Sequence, residues 1–417
     1  NAEDASSAEK AQAGCGNAEG PGSTQEAPAE NDAARRFALA AKASLEQTSH
    51  SERATDSVQH QDGAAHLPCS IKAIICHGGN CLTNQHGDIN YAHDILADES
   101  LCEFILGIDI VMTDSLKYSD VILPDMFRFE QNSQIATGSN WGYVITGTPA
   151  TSVKYERKTC YEMCELIADK FGIKDKFTEG KTELEWMKEL YEKSREKDGE
   201  LPTWDEAVKM GVYTREYAPT VSMKKFRDDP AANALTTPSG KIEIFSEKLL
   251  KDTEGWELTD GDTLACLNTL PPIPAYVPEW DGVETTTDEY PLTLGGFHYR
   301  GRLHSSWGGI EELKEVNPQE AWINPADAEP RGIKQGDTIH VKNGFGTIEL
   351  LAKVTPRVVP GMVAISQGAW HDADMSSSDH KARLDKGGSI NTLTTHRPSP
   401  LAKGNPQHTN ICEVVKA

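Results

Sequence analysis

Short apolar runs of strand length alternate with helical patterns in the first regularly patterned part of the chain. Residues 71–76, 104–112 and 121–124 are apolar runs of strand length. Residues 94–102 have a helical pattern, and residues 115–119 have the length of one helical turn. Because strands that alternate with helices need crossover connections, this order predicts a parallel sheet.

The residues on either side of this part differ from it in composition. Residues 1–66 are rich in Ala, Glu, Ser, Gln and Gly, with one amphipathic patch at 33–45. Their apolar surface is too small to offset the entropy of ordering, so we interpret them as a polar low-complexity linker or insertion. We assign 67–155 to the α/β part and 156–288 to a helix-rich middle that ends in a Pro-rich connector.

From residue 289 onward the pattern changes to short alternating strands. Residues 337–350 alternate apolar and polar positions around Asn343 and Gly344, and an Asn-Gly pair is the strongest local signal for a hairpin. Short strands with one or two small helices favour a closed β-barrel over 289–417. The predicted fold class is therefore an α/β part, a helix-rich middle and a C-terminal β-barrel.

Composition and charge narrow the possible functions. A chain of 417 residues has room for two or three domains, and 38% hydrophobic residues are typical of a soluble globular protein. The formal net charge of -23 argues against nucleic acid as a partner, because an acidic surface repels phosphate. No apolar run has the length of a transmembrane segment. Since the sequence begins with Asn1, we expect a piece of a longer protein.

The nine cysteines do not follow a metal-binding pattern. Cys69, Cys76 and Cys81 cluster, and Cys160 and Cys164 are four residues apart, but neither group has the spacing of zinc or iron–sulfur sites. The second pair falls within a helical pattern, where small buried thiols are common. We interpret these cysteines as core residues rather than ligands, and we assign no metal ligand in this chain.

Two polar segments carry candidate chemistry. Residues 388–410 combine Gly and Pro with Asn, Thr, His and Arg, which is typical of a segment laid along a polar ligand. The alternative is an ordinary surface loop. Residues 295–306 hold two His, two Arg and two Ser beside a Gly pair, and Arg suits anionic or heterocyclic groups. Here the alternative is a solvated edge with scattered salt bridges.

These segments occur in the order found in the molybdopterin oxidoreductases, the dimethyl sulfoxide reductase family, which the chain resembles from about residue 70 to its end. The resemblance is carried by 78–80, 109–124, 302–305, 336–339 and 391–405. It is strongest to the catalytic chain of the anaerobic dimethyl sulfoxide reductases, through 177–182, 226–230, 235–244 and 397–406. The resemblance implies that the barrel is six-stranded and double-psi-like.

The resemblance also implies a cofactor, bis(molybdopterin guanine dinucleotide) molybdenum, and the residues that bind it. Glycine would let the nucleotide approach the backbone, a carboxylate would accept from guanine, and hydroxyls at a helix start suit phosphate. Without the resemblance, an N-cap and a strand-end carboxylate are the alternative interpretation. The implied cofactor-binding residues are Gly78, Gly79, Asn80, Asp109, Thr113, Ser115, Arg302, His304, Ser305, Asn391, Thr392, Asn405 and His408.

The function implied by the resemblance is that of the C-terminal part of a molybdenum-dependent reductase acting on a small S-oxide or N-oxide. A 4Fe-4S cluster and the molybdenum ligand are expected only in the missing N-terminal half, so no catalytic residue is assigned here. An iron–sulfur electron-transfer subunit and a membrane anchor subunit are implied partners, at the periplasmic or extracytoplasmic face of a membrane. The alternative is a non-catalytic cofactor-binding fragment from a split or degraded gene.

Overall fold

The computed structural model describes residues 71–136, 142–216, 219, 221–253, 271–276, 281–396, 404–405 and 408–417. Within these ranges the chain forms two three-stranded sheets and one seven-stranded sheet. None of the helices in these ranges combines the length and the apolar composition needed to cross a bilayer. The predicted linker over 1–66 lies outside the described residues, and the predicted domain boundaries stay predictions.

The α/β part is a parallel sheet, as the alternation of strand and helix predicted. Its order is β1-β2-β3, with β2 in the centre. Phe104, Leu106 and Ile108 of the central strand are buried and cluster with Met163 from the helical middle. A central parallel strand is covered on both faces, which is why this run is continuously apolar. The strands are β1 (Ala73–His77), β2 (Phe104–Asp109) and β3 (Val121–Pro124).

The first helix begins earlier than the sequence pattern predicted. Helix α1 spans Ile89–Ala97, whereas the pattern placed a helix at 94–102. The buried residues of this helix are Ile89, Asn90 and His93. Two of these three are polar, so an apolar pattern could not mark the helix start. Packing against the barrel, not local periodicity, sets its position.

The middle of the chain is helical, and three of its helices start with the same local motif. Thr159, Thr182 and Thr203 each accept a hydrogen bond from the backbone N–H three residues later, and the Glu at that position bonds back to the Thr N–H. These are capping boxes, which fix where a helix begins. The helices are α2 (Cys160–Lys170), α3 (Lys174–Thr178), α4 (Glu183–Lys197), α5 (Trp204–Met210), α6 (Lys224–Asp228) and α7 (Glu247–Asp252).

A small antiparallel sheet accompanies these helices. Its order is β4-β5-β6, and Thr146 of the central strand donates to the carbonyl of Ala207 at 2.6 Å, which joins the sheet to α5. The sheet is short because each strand has three to five residues. The strands are β4 (Ser133–Ala136), β5 (Tyr143–Gly147) and β6 (Val212–Thr214).

The C-terminal part is a closed six-stranded barrel, which confirms the predicted fold class. The ring runs β10-β8-β11-β7-β13-β9 and closes through the β9–β10 hairpin, while β12 pairs with β10 outside the ring. The hairpin turns at the predicted Asn343 and Gly344. The barrel elements are β7 (Leu292–Phe297), α8 (Glu311–Val316), β8 (Glu320–Ile323), α9 (Pro325–Ala328), β9 (Thr338–Lys342), β10 (Thr347–Val354), β11 (Met362–Ser366), β12 (Leu384–Asp385) and β13 (Asn410–Lys416).

A polar seam joins the barrel to the α/β part. Arg383, which is almost fully buried, donates to the carbonyl of Asn90 at 3.0 Å and to Asp94 Oδ1 at 2.8 Å. His380 Nε2 lies 2.7 Å from the other carboxylate oxygen of Asp94. The Arg383 and His380 hydrogen bonds hold the pKa of Asp94 below its usual value even though burial opposes this. The two parts are therefore fixed against each other along α1.

Candidate cofactor-binding cleft

A cleft of about 380 Å³ lies between the loop after β1 and the barrel. Its wall is mostly polar: amides, imidazoles, a hydroxyl, the Cys81 thiol and backbone at three glycines. Ile390 is its only aliphatic side chain among the described residues, and no described carboxylate lines it. The lining residues are Gly79, Asn80, Cys81, Asn84, Gln85, Gly296, His304, Ser305, Gln367, Gly368, Ile390, Asn391 and His408.

The α/β side of the cleft is held by a buried hydroxyl network. Asn80 Oδ1 accepts hydrogen bonds from the backbone N–H of Ser115 at 3.1 Å and from its hydroxyl at 2.6 Å. The Ser115 hydroxyl also accepts from the N–H of Thr83 at 3.1 Å. Ser115 is fully buried, so it positions the loop after β1 and does not itself line the cleft.

The neighbouring predicted residues on this side are also outside the wall of the cleft. Strand β2 ends at Asp109, three residues before the predicted end of this strand, and Asp109 Oδ1 accepts from the next backbone N–H at 2.7 Å. Thr113 is buried, and its hydroxyl has no partner among the described residues. Gly78 has a φ of 60° and makes the turn that follows β1. We find these three around the loop rather than in the cleft.

The barrel side of the cleft is formed by a close approach of two backbone segments. Gln367 Nε2 lies 2.9 Å from His304 Nδ1, and the Trp370 indole donates to the carbonyl of Ser305 at 2.9 Å. Gly368 has a φ of 85°, and a Cβ added there would lie 1.9 Å from the carbonyl oxygen of His304. Only glycine permits this approach.

Arg302 turns away from the cleft. Its Nη2 donates to Gln319 Oε1 at 2.8 Å, to the hydroxyl of Ser366 at 3.1 Å and to the carbonyl of Gln367 at 3.0 Å. Its guanidinium also lies 4.5 Å from the ring centre of Tyr299. Arg302 therefore holds the Gln367 backbone in place, one step behind the wall of the cleft.

The C-terminal polar segment connects the barrel to the loop after β1. Asn391 donates to the carbonyl of Asn84 at 2.5 Å, and Asn84 donates to the carbonyl of Ala369 at 2.6 Å. Asn405 donates to the carbonyl of Gln85 at 3.0 Å. His408 lies against Gly296, whose added Cβ would be 3.3 Å from His408 Nδ1. This part of the segment follows the cleft instead of extending away as a separate surface loop.

Behind this segment lies a buried carboxylate that the sequence did not indicate. Asp385 is fully buried, and its two oxygens accept from the backbone N–H groups of Asp372, Gly387 and Ser389 and from the hydroxyl of Thr392. Burial raises the pKa of Asp385 to about 6, against the lowering effect of the four donors. Thr392 is thus part of this internal network and does not line the cleft.

The structure therefore divides the predicted residues into two groups. Those that line the cleft are Gly79, Asn80, His304, Ser305, Asn391 and His408. Those that lie around it are Gly78, Asp109, Thr113, Ser115, Arg302, Thr392 and Asn405. The lining residues that the sequence prediction did not include are Cys81, Asn84, Gln85, Gly296, Gln367, Gly368 and Ile390. Cys81 had been predicted to be a core residue. A glycine such as Gly368 can mark a close backbone approach, which was the available signal.

Two histidines are buried beside each other where α1 meets the barrel. The rings of His93 and His371 are 4.5 Å apart, and His93 Nδ1 is hydrogen-bonded to the hydroxyl of Tyr118. Burial lowers the pKa of His93 to about 3 and that of His371 to about 4, and nearby Lys117 and Arg383 act in the same direction. Both rings are neutral at pH 7.

This histidine pair predicts that acid weakens the fold. Each ring binds a proton below about pH 6.5 in the unfolded chain but not in the folded one, so the stabilisation is complete above that pH and is lost as the pH falls. From pH 6.5, where the unfolded ring is half protonated, to pH 5 we expect the free energy of unfolding to fall by about 1.6 kcal/mol more in the wild type than in His371→Gln. Urea unfolding at several pH values measures this difference.

Other groups that titrate in this pH range contribute equally to the wild type and the variant, so their contribution cancels in the difference. Asp385, with its raised pKa, titrates with the opposite sign in the same interval and is present in both proteins. Parallel stability curves for the wild type and His371→Gln would show that His371 does not stay neutral in the folded protein. His93→Gln gives a second curve, for the other ring of the pair.

Comparison with known proteins identifies the barrel and extends the similarity over most of the chain. Residues 292–411 match the model of the molydopterin dinucleotide binding domain. The chain is 47% identical over 361 residues to the probable dimethyl sulfoxide reductase chain YnfF of Escherichia coli (strain K12), which covers 85% of this chain and 44% of that protein. It is 45% identical over 373 residues to dimethyl sulfoxide reductase DmsA of the same organism. That alignment covers 88% of this chain and 44% of DmsA.

A more distant relative and a solved structure agree with this result. Trimethylamine-N-oxide reductase of Haemophilus influenzae is 30% identical over 83% of the chain. The structure of acetylene hydratase from Pelobacter acetylenicus matches 83% of the chain with a TM-score of 0.61 at 18% identity, which shows a shared fold. The chain spans less than half the length of the curated relatives it matches. The chain therefore contains a molydopterin dinucleotide binding domain and is similar over most of its length to the dimethyl sulfoxide reductase chains.

Proposed function

We propose that the chain is the C-terminal part of a molybdenum-dependent oxidoreductase that reduces small S-oxides or N-oxides. In this proposal the cleft holds the pterin and part of the guanine nucleotide of the cofactor. The observation that carries it is the position of the cleft, because the domain over 292–411 forms one wall and the loop after β1 forms the other. Similarity to dimethyl sulfoxide and trimethylamine-N-oxide reductases gives the substrate class.

The chemistry of the cleft fits such a ligand. Pterin and guanine are flat heterocycles whose edges carry N–H donors alternating with nitrogen and oxygen acceptors. Amides offer both donors and acceptors, and Asn80, Gln85 and Gln367 lie in the wall. Gly296 keeps the barrel wall free of a side chain between His408 and Ile390, where a flat ring would approach. A volume of about 380 Å³ lies within the usual range of small-molecule sites.

The residues of this chain would bind and orient the cofactor. Because the Gln367 amide nitrogen can only donate, His304 Nδ1 accepts from it, and the ring N–H is then on Nε2. His304 and the hydroxyl of Ser305 would then donate to ligand acceptors, while Arg302 holds the neighbouring Gln367 backbone in place. The bound cofactor supplies the two-electron oxygen-atom chemistry, and the protein supplies binding, orientation and electrostatics.

The remaining parts of the proposal rest on the resemblance. We include an iron–sulfur electron-transfer subunit, a membrane anchor subunit and a 4Fe-4S cluster in a preceding half of the protein. The bis(molybdopterin guanine dinucleotide) form of the cofactor and a location at the periplasmic face of a membrane belong to the same proposal. Anaerobic respiration, with the oxide as terminal electron acceptor, is the physiological role that these parts together imply.

Filling the cleft should reduce cofactor binding without unfolding the protein. A Cβ at Gly79 would meet only the Cys81 sulfur and the His77 carbonyl oxygen, each at 3.9 Å, so a larger side chain is accommodated. In Gly79→Leu, expressed in cells that make the molybdenum cofactor, we expect at least about a ten-fold loss of bound guanine nucleotide and pterin, equivalent to about 1.4 kcal/mol of binding free energy. Acid release followed by nucleotide quantification and pterin fluorescence measures both.

A matched control separates this effect from a general one. Gly199 also has open space around an added Cβ, and it lies in the helical middle. Gly199→Leu should therefore retain the cofactor at the wild-type level. Equal retention by Gly79→Leu would place the cofactor elsewhere. If the wild-type protein retains the cofactor but the assembled enzyme reduces no S-oxide or N-oxide, the non-catalytic alternative is favoured.

A further inference from the structure

Two cysteines approach each other in the wall of the cleft. Cys76 lies in β1 and Cys81 follows the Gly78–Gly79 turn, and their sulfur atoms are 3.7 Å apart. A disulfide bond is about 2.05 Å long, so a shift of less than about 2 Å would join them. The turn between them contains Gly78 at a φ of 60°, and no atom lies within 4 Å of a Cβ added there. The backbone can therefore adjust to such a shift.

The two sulfurs differ in access and in charge. Cys81 is half-buried and lines the cleft, whereas Cys76 is only 3% exposed. The hydrogen bond from the Cys76 thiol lowers the pKa of Cys81 to about 6, and the same contact raises the pKa of Cys76. At pH 7 Cys81 is thus the thiolate that a small molecule in the cleft can reach.

We propose that Cys76 and Cys81 form a thiol-oxidation site that hydrogen peroxide converts into an intramolecular disulfide. The Cys81 sulfur attacks one peroxide oxygen, so an S–O bond forms, the O–O bond breaks and one water leaves after protonation. The Cys76 sulfur then attacks the Cys81 sulfur, so the S–S bond forms and the S–O bond breaks. The second water takes the Cys76 proton. Two thiols lose two electrons, and peroxide gains them.

The other neighbouring pair of cysteines lacks these features and serves as an internal comparison. Cys160 and Cys164 are 4.0 Å apart on one face of α2, but neither lines the cleft. Burial, the neighbouring Cys164 and the nearby carboxylates raise the pKa of Cys160 to about 11. It stays protonated at pH 7 and should not react with peroxide at a comparable rate.

Peptide mapping tests the proposal on the full chain. Cleavage after Lys72 and before Asp88 releases a peptide that contains Cys76 and Cys81 and no other cysteine. The protein is treated briefly with hydrogen peroxide at pH 7 and then alkylated. We expect this peptide to carry no alkyl group and to be two hydrogen atoms lighter than the reduced, unalkylated peptide. Unoxidised protein should alkylate at Cys81 at least about ten-fold faster than at Cys160, with half-maximal rate near pH 6.

Variants define which results would overturn the proposal. In Cys81→Ser the disulfide should be absent and Cys76 should stay reduced, while Cys160→Ser should form the disulfide as the wild type does. The proposal fails if peroxide leaves the peptide reduced in the folded wild type, or if either cysteine is instead linked to Cys69. It also fails if Cys81 and Cys160 alkylate at equal rates. This measurement uses the wild-type protein, so it does not depend on a variant that folds.

Discussion

Gly368→Ala should destabilise the protein by about 2–4 kcal/mol and disrupt the barrel side of the cleft. The added methyl group would lie 1.9 Å from the carbonyl oxygen of His304 and 2.3 Å from its carbonyl carbon, and neither is a flexible side-chain end. Backbone must move to relieve this contact, and overpacking of this kind costs about 1–3 kcal/mol. The φ of 85° adds about 1 kcal/mol for any L-residue.

Gly361 provides a control with the same backbone conformation. Its φ is also 85°, but no atom lies within 4 Å of an added Cβ. Gly361→Ala should therefore lose only about 1 kcal/mol, the conformational part of the effect. Urea unfolding of both variants measures the two costs, and the guanine nucleotide content of each reports on the cleft. Equal destabilisation by the two substitutions would show that the contact with His304 is not needed for the fold.

The architecture was predictable because its signals are local. Three continuous apolar runs indicated the parallel sheet, and the Asn343–Gly344 turn indicated a hairpin of the barrel. Helix α1 was misplaced because its buried residues include the polar Asn90 and His93, which are covered by distant parts of the chain: Asn90 bonds to Phe345 of the barrel, and His93 packs against His371 and Tyr118. No pattern of apolar residues reports such a contact.

The cleft was predictable only in part, for a related reason. The family resemblance indicated which segments form the cleft. Within a segment, the sequence does not show which residues line the cleft and which support it from behind. Arg302 and His304 are two positions apart, yet one faces Gln319 and the other faces the cleft. Asp385 escaped prediction because a single acidic residue in a polar stretch looks the same whether it is exposed or buried.

Asp385→Ala should be as damaging as the change at Gly368, because it removes an acceptor from four donors at once. The N–H groups of Asp372, Gly387 and Ser389 lie 2.8–2.9 Å from the carboxylate, and the Thr392 hydroxyl lies 3.2 Å away. A buried donor without an acceptor costs about 1–3 kcal/mol, so we expect a loss of at least about 4 kcal/mol. The turn that carries Ile390 and Asn391 into the cleft would then lose its anchor.

Asp372 is the matched control for this prediction. It lies beside this turn and its side chain is exposed, while its backbone N–H donates to Asp385. Asp372→Ala should therefore change the free energy of unfolding by less than about 0.5 kcal/mol. Urea unfolding at pH 7 compares the two variants, and hydrogen exchange at Gly387 and Ser389 shows whether the turn opens. A loss below about 1 kcal/mol in Asp385→Ala would mean that water replaces the carboxylate, and that the turn is held by the barrel rather than by Asp385.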